Sequence, residues 1–255
     1  MIPAIPRVAF VLLLACPVVV AAQEAVPANG IAVLERMRAA YDGKWYHTLT
    51  FAQKTTIFGK DGAKRIQSWR ESLRHTAAYG TQLRIDIGDA ATGNGVLYTP
   101  DSSWRFQAGK LAGKNADGNA FLPLIEGVYV QPVAKTVAEL APTRVDLSKV
   151  RPGTWMRRPV WIVGASSAAD STSPQFWVDV ERQVVVRMIV TFAVGGDAYD
   201  VQLDDYVKAG NGMLATKISM FAKGAPVQTE DYADWRVDVP LSDSVFDISA
   251  WLRAP

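Results

Sequence analysis

Residues 44–74 read KWYHTLTFAQKTTIFGKDGAKRIQSWRESLR and have the pattern of a long β-hairpin. Two long runs rich in threonine, phenylalanine, isoleucine and tryptophan flank the turn GKDG at 59–62. β-Branched and aromatic residues favour strands, and a short glycine-containing turn between two such runs indicates a β-hairpin. The sequence therefore predicts two long antiparallel strands, at residues 44–58 and 63–74.

Strand patterns continue beyond this hairpin. Residues 82–87, QLRIDI, alternate between apolar and polar side chains, which predicts one buried and one solvated face. Short strands follow at 96–99 and 104–109, and residues 154–239 form a further series of hairpins. A meander of this length must hide its edges by closing or by being covered, so we expect strong curvature.

Few segments have helical spacing. Asn29 can cap a helix at residues 30–42, whose apolar positions recur every three or four residues: Ile31, Leu34, Met37 and Tyr41. Near the end, residues 241–251, LSDSVFDISAW, predict a short turn that brings Phe246 and Trp251 onto an apolar surface.

The stretch between the two strand-rich halves is different. Residues 121–140, FLPLIEGVYVQPVAKTVAEL, are apolar at mixed spacing and contain Pro123 and Pro132. Proline interrupts helices, so this pattern favours two or three short helical pieces, the last from Val133 to Leu140. We expect an apolar flap that lies over the sheet.

The chain begins like a secreted protein. Arg7 precedes an apolar run of about 13 residues and then small residues, which is the layout of a cleavable signal peptide. A membrane-spanning helix needs roughly 20 apolar residues. We therefore predict a signal peptide at residues 1–22, one domain at 23–255 and a periplasmic location.

Cys16 allows a second interpretation of the same segment. With Leu13, Leu14 and Ala15 it resembles a bacterial lipobox, in which the cysteine is lipidated and anchors the protein. It is the only cysteine of the chain, so the folded part would contain no disulfide in either case.

Composition and residue types exclude several classes of function. The net charge of +2 arises from 27 basic and 25 acidic residues mixed along the chain, which argues against a nucleic-acid partner. The two histidines, His47 and His75, lie in no catalytic motif, and without further His or Cys ligands we expect no metal, no cofactor and no enzyme activity. The acid pairs at 179/181 and 230/231 fit exposed turns or edges and predict ordinary surface charge.

Four segments and their order resemble a known family, the LolA-like outer-membrane lipoprotein-sorting proteins. The resemblance implies a LolA- or LolB-like fold: mainly antiparallel β with a few helices, in a strongly curved incomplete β-barrel with a helical lid over an apolar cavity. It also implies that the cavity carries acyl chains of lipoproteins or other lipids. The segments are YDGKWYHTLTFAQKTT (41–56), RPVWIVGA (158–165), SPQFWVDVERQVVVRM (173–188) and EDYADWRVDVPLSDSVF (230–246).

Successive apolar stripes on the strands and the flap supply candidates for the cavity wall. They are equally compatible with an ordinary filled core, and the sequence leaves this open. The predicted ligand-binding residues are Trp69, Leu83, Ile85, Ile87, Trp104, Phe106, Phe121, Leu124, Trp161, Phe176, Val178, Val186, Met188, Leu214, Ile218 and Met220.

The function predicted from these features is a periplasmic carrier or sensor that holds a lipid or lipoprotein acyl chain, with peripheral membrane contact. The alternative is a protein-interaction module of the cell envelope that has a protein partner and no lipid cargo.

Overall fold

The computed structural model describes residues 25–191 and 196–251. The signal peptide predicted at residues 1–22 and the predicted lipidation site Cys16 lie outside these residues. The strands are β1 Thr48–Phe58, β2 Lys64–Thr76, β3 Gly80–Ile87, β4 Gly95–Tyr98, β5 Ser103–Gln107, β6 Lys110–Asn115, β7 Val150–Trp155, β8 Arg158–Val163, β9 Gln175–Asp179, β10 Val185–Thr191, β11 Ala198–Ala209, β12 Gly212–Ala222 and β13 Ala225–Val237.

The helices are short and lie between or beyond the strands. They are α1 Gly30–Ala40, a π-helical turn Pro123–Gly127, α2 Val128–Val130, α3 Val133–Leu140 and α4 Ile248–Trp251, with 3-10 turns at Ala90–Thr92, Ala141–Thr143 and Asp243–Phe246. None of the helices in the described ranges is long and apolar enough to cross a membrane.

The strands form a 13-stranded sheet whose pairings between neighbours are all antiparallel. Its order is β6-β5-β4-β3-β2-β1-β13-β12-β11-β10-β9-β8-β7, so the first and last strands meet in the middle. β6 and β7 are the two edges, and the sheet stays open. This confirms the predicted fold class, an incomplete antiparallel barrel with a helical lid.

Bulges and the flap complete this shape. Register shifts interrupt the pairing of β1 with β13 and of β10 with β9, and such bulges increase local twist. The flap, residues 121–140, lies in the link that runs from edge strand β6 to edge strand β7. It consists of the π-helical turn, α2 and α3, so the predicted broken helical segment is confirmed.

Helix α1 fills one side of the curved sheet. The side chain of Asn29 accepts a hydrogen bond from the amide of Ala32 at 2.9 Å, so the predicted cap is confirmed. Ile31 is 41% exposed, however, and its predicted place on the apolar face is wrong. The physical reason is the close packing of Gly30, whose Cα has room for no side chain: a Cβ there would lie 2.7 Å from Val163 of β8. The helix face that begins at Gly30 therefore meets the sheet.

The predicted solvated face of β3 is also wrong. Gln82 and Asp86 are buried, because the C-terminal segment packs against that face. Arg84 pairs with Asp86 and donates a hydrogen bond to the carbonyl of Val245 at 3.2 Å. Its guanidinium lies 4.0 Å from the ring centroid of Trp251.

Trp251 belongs to a second, smaller apolar cluster on this face of the sheet. Its ring stacks on Phe106 at a centroid distance of 4.4 Å, and Leu97 and Phe246 complete the cluster. A Cβ at Gly95 would lie 2.7 Å from the same ring, so this position requires glycine. The predicted burial of Phe246 and Trp251 is confirmed.

Candidate functional site

A cavity of about 230 Å³ lies between the curved sheet and the start of the flap. Its walls come mainly from β1–β3 and β11–β13, and the flap covers it. The lining residues are Trp45, Leu49, Phe51, Trp69, Glu71, Leu73, Leu83, Ile85, Tyr98, Asn119, Phe121, Leu122, Ile125, Glu126, Tyr129, Val184, Met188, Val201, Leu203, Tyr206, Met213, Leu214, Ala215, Ile218, Met220, Gln228, Glu230 and Tyr232.

Strand alternation aims these side chains inward. On β2, Trp69, Glu71 and Leu73 are separated by two residues each and share the cavity face. Glu71 lies opposite Phe51 of β1 and Ile85 of β3, both of which also line the cavity. The cavity wall is therefore apolar with a carboxyl group set into it.

Glu126 joins the flap by hydrogen bonds to the segment that precedes β1. Trp45 Nε1 donates to Oε2 of this carboxyl group at 2.9 Å, and Tyr46 Oη donates to Oε1 at 2.8 Å. Trp45 also stacks on Tyr129 of the flap, with the ring centroids 3.7 Å apart. Burial raises the pKa of Glu126 to about 7, although the two hydrogen bonds act to lower it.

A second buried carboxyl group in the cavity wall is that of Glu230. Glu230 of β13 accepts hydrogen bonds from Tyr232 Oη at 2.8 Å and from Gln228 Nε2 at 2.6 Å. It is 7% exposed, and burial raises its pKa. The prediction of ordinary surface charge at Glu230 is wrong, because its cross-strand neighbours Ile218 and Thr55 place it on the inner face.

Glu71 has no such support. It is 5% exposed, and within the part of the chain that the structure describes no hydrogen bond reaches its carboxyl group. Burial raises its pKa well above the usual value, and the nearby charge of Glu230 raises it further. Glu71 and Glu126 were not predicted to be site residues. For Glu71 a signal was present, since alternation with Trp69 and Leu73 places it on a buried face.

Eight of the predicted ligand-binding residues line this cavity. Whether they touch a ligand stays a prediction. They are Trp69, Leu83, Ile85, Phe121, Met188, Leu214, Ile218 and Met220.

Four other predicted residues lie where the sheet is already filled. Trp161 of β8 shares its face with Val163, which abuts α1, and its pairing partner Val178 lies beside Phe176 on β9. Arg36 of α1 stacks over Trp161 at 4.8 Å. These positions and Leu124 of the flap form solid core, because α1 and the flap occupy the space in front of them.

The remaining four lie away from the cavity for separate reasons. Ile87 packs at the margin of the main core. Trp104 and Phe106 face the C-terminal segment on the opposite side of the sheet. Val186, at the bulge of β10, lines a different, open pocket that also contains Asp179.

Asp179, His47 and His75 lie outside the cavity wall. Asp179 is 1% exposed and pairs with Arg158 and Arg182, so its predicted surface position is wrong. The ring centroids of His47 and His75 are 6.5 Å apart, and neither lines the cavity. Burial, with the nearby charge of Lys135, lowers the pKa of His75 to about 4.

Solved structures establish the class to which this fold belongs. A domain of Vibrio parahaemolyticus described as an outer membrane lipoprotein-sorting protein matches with a TM-score of 0.60 at 10% identity, over 88% of this chain and 98% of its own. A LolA superfamily protein of Nitrosomonas europaea matches with a TM-score of 0.51 at 14% identity, over 87% of this chain and 98% of its own.

A third match widens this comparison. A DUF1329 family protein of Desulfovibrio piger has a TM-score of 0.59 at 12% identity, over 87% of this chain and 97% of its own. No protein-family model matches the sequence, and no curated protein matches it. The chain has a LolA-like fold, as the sequence resemblance implied.

Proposed function

We propose that this protein binds the acyl chain of a lipid or lipid-modified protein in the cavity beneath the flap, as a carrier or sensor in the periplasm. The observation that carries the proposal is the open cavity itself. Helix α1 packs against the curved sheet at β8 and β9. Beneath the start of the flap, in contrast, a cavity of about 230 Å³ with mostly apolar walls remains open.

Apolar burial supplies the driving force for such binding. Each buried methylene contributes about 0.8 kcal/mol, so a chain of roughly ten to fourteen carbons would gain on the order of 8 to 11 kcal/mol before the costs of association. Met188, Met213 and Met220 line the cavity, and flexible methionine side chains adapt to chains of different shape. The binding requires no chemical step, so we propose a non-enzymatic role.

The fold and the sequence support the proposed setting. Two of the matched structures carry the names LolA superfamily and outer membrane lipoprotein-sorting protein, and this chain shares their fold. The segment at residues 1–22 has the pattern of an export signal. A protein that receives or delivers an acyl chain must also touch a membrane or a membrane protein while its flap is open.

The test fills the cavity with a larger side chain. Ile85 lines the cavity on β3, whereas Ile66 of β2 is 61% exposed, so Ile66→Trp is a matched control for Ile85→Trp. A fluorescent fatty-acyl ester, which has no charged head group, should bind wild type and Ile66→Trp with similar affinity and bind Ile85→Trp at least about tenfold more weakly. Circular dichroism and thermal unfolding check that both variants stay folded.

Equal binding by all three proteins would place the probe elsewhere and contradict the proposal. Absence of binding to wild type, together with recovery of one stoichiometric protein partner after crosslinking in cells, would favour the envelope interaction module.

A further inference from the structure

The charges around the cavity have one sign. Its ionisable carboxyl groups are Glu71, Glu126 and Glu230, and no lysine, arginine or histidine is among the described residues that line it. An anionic head group that entered would leave water for a region of low dielectric constant and would find no cation among the described lining residues.

Two of the three carboxyl groups already have partners. Glu126 accepts from Trp45 and Tyr46, and Glu230 accepts from Tyr232 and Gln228. Glu71 lacks any hydrogen bond among the described residues, although it is 5% exposed and lines the cavity. The carboxyl group of Glu71 is open to the cavity, so a molecule bound there can supply the hydrogen-bond donors that the described residues do not.

We propose that the cavity selects amphiphiles whose polar end is a primary amine, with Glu71 and Glu230 receiving the ammonium group. This inference rests on the proposed function and names the ligand class for the same cavity. An ammonium group has three N–H donors, and each carboxylate oxygen of Glu230 retains a lone pair beyond the hydrogen bond it already accepts. Hydrogen bonds between two charged groups are roughly twice as strong as neutral ones.

The proton balance follows from the surroundings of Glu71. Burial, and after it the nearby charge of Glu230, raise the pKa of Glu71 and so favour its protonated form, while Tyr98 on β4, Tyr232 on β13 and Glu126 on the flap face the same space. Binding of an ammonium ion releases this proton to solvent. Amine binding should therefore tighten as the pH rises from about 5 to about 8, a range in which an alkylamine stays cationic.

The experiment compares ligands that share one chain and differ only in the head group. Dodecylamine, dodecan-1-ol and dodecanoic acid are titrated below their micelle concentrations by calorimetry. We expect dodecylamine to bind at least about tenfold more tightly than dodecanol, and dodecanoic acid to bind most weakly. Glu71→Gln should lose the amine preference but keep its dodecanol affinity, whereas Glu35→Gln on the exposed face of α1 should behave like wild type.

Three results would overturn the inference. Equal affinities for the three ligands, or an amine preference that persists in both Glu71→Gln and Glu230→Gln, would leave the proposed function intact and remove the head-group assignment. No binding of any of the three would remove the proposed function as well. Glu230→Gln gives the second measurement if Glu71→Gln fails to fold.

Discussion

Buried carboxyl groups set the properties of this protein at the scale of the residue. Glu126 ties the flap to Trp45 and Tyr46, and its carboxyl group is enclosed by aromatic rings and apolar side chains. Folding therefore raises its pKa from 4.5 to about 7. An acid whose pKa is raised by folding contributes stability that is fully present below its unfolded pKa and is lost as the pH rises through its folded pKa.

We predict that Glu126→Gln changes the pH dependence of stability. The amide loses one of the two acceptor oxygens, which lowers stability by about 1 to 3 kcal/mol at about pH 4.5. Because glutamine does not ionise, this deficit should shrink as the pH rises through 7. Urea denaturation of wild type and variant between about pH 4.5 and 8 measures the difference. A deficit that stays constant or grows with pH would contradict the role of Glu126, and Glu35→Gln serves as the control.

The buried glutamates also show what the sequence could not reveal. Strand alternation puts Glu71 and Glu230 on inner faces. Glutamate is rarely buried, however, so a glutamate in a half-buried strand is usually expected on the solvated face or at a sheet edge. Alternation with Trp69 and Leu73 indicates the inner face for Glu71, but the depth to which both glutamates are buried depends on the flap and on the pairing of β1 with β13, which no local pattern reports. Glu126 is harder still, because it lies within a segment with no single helical period.

Local signals predicted most of the structure at the scale of the element. The hairpin turn at 59–62, the interrupted flap and α3 Val133–Leu140 follow from glycine, proline and apolar spacing, and the structure contains all of them. The pairing of Leu49 with Val237 was not predictable, because no local feature joins strands so far apart in sequence. The covering of the second face of β3 was missed for the same reason.

The C-terminal segment gives a prediction at this scale. Trp251 is buried against Phe106 and Gly95 on the side of the sheet opposite the cavity. Trp251→Ala should therefore lower the free energy of unfolding by about 3 to 5 kcal/mol. Binding of the fluorescent fatty-acyl ester should not change at temperatures where the variant is folded. Guanidinium denaturation and probe titration measure the two effects, and loss of binding in the folded variant would show that the two faces are coupled.

The topology explains why a cavity exists at the scale of the whole molecule. The helices do not fill the whole concave side of the sheet. Helix α1 packs against the part near β8 and β9, whereas the start of the flap lies over the remaining part and leaves a cavity beneath it. Eight predicted residues line the open part, whereas Trp161, Phe176 and Val178 belong to the filled part. The sequence supplied the inward stripes, but the position of α1 decides which of them face empty space.

Native mass spectrometry of the protein purified from its own host shows directly whether the cavity holds a lipid. We expect wild type and Ile66→Trp to carry a co-purified lipid or acylated molecule of defined mass, and Ile85→Trp to carry much less. An amine-bearing lipid would agree with the selectivity inferred for Glu71. Wild-type protein that emerges without any bound molecule, and also fails to bind the fluorescent fatty-acyl ester, would contradict the proposed function.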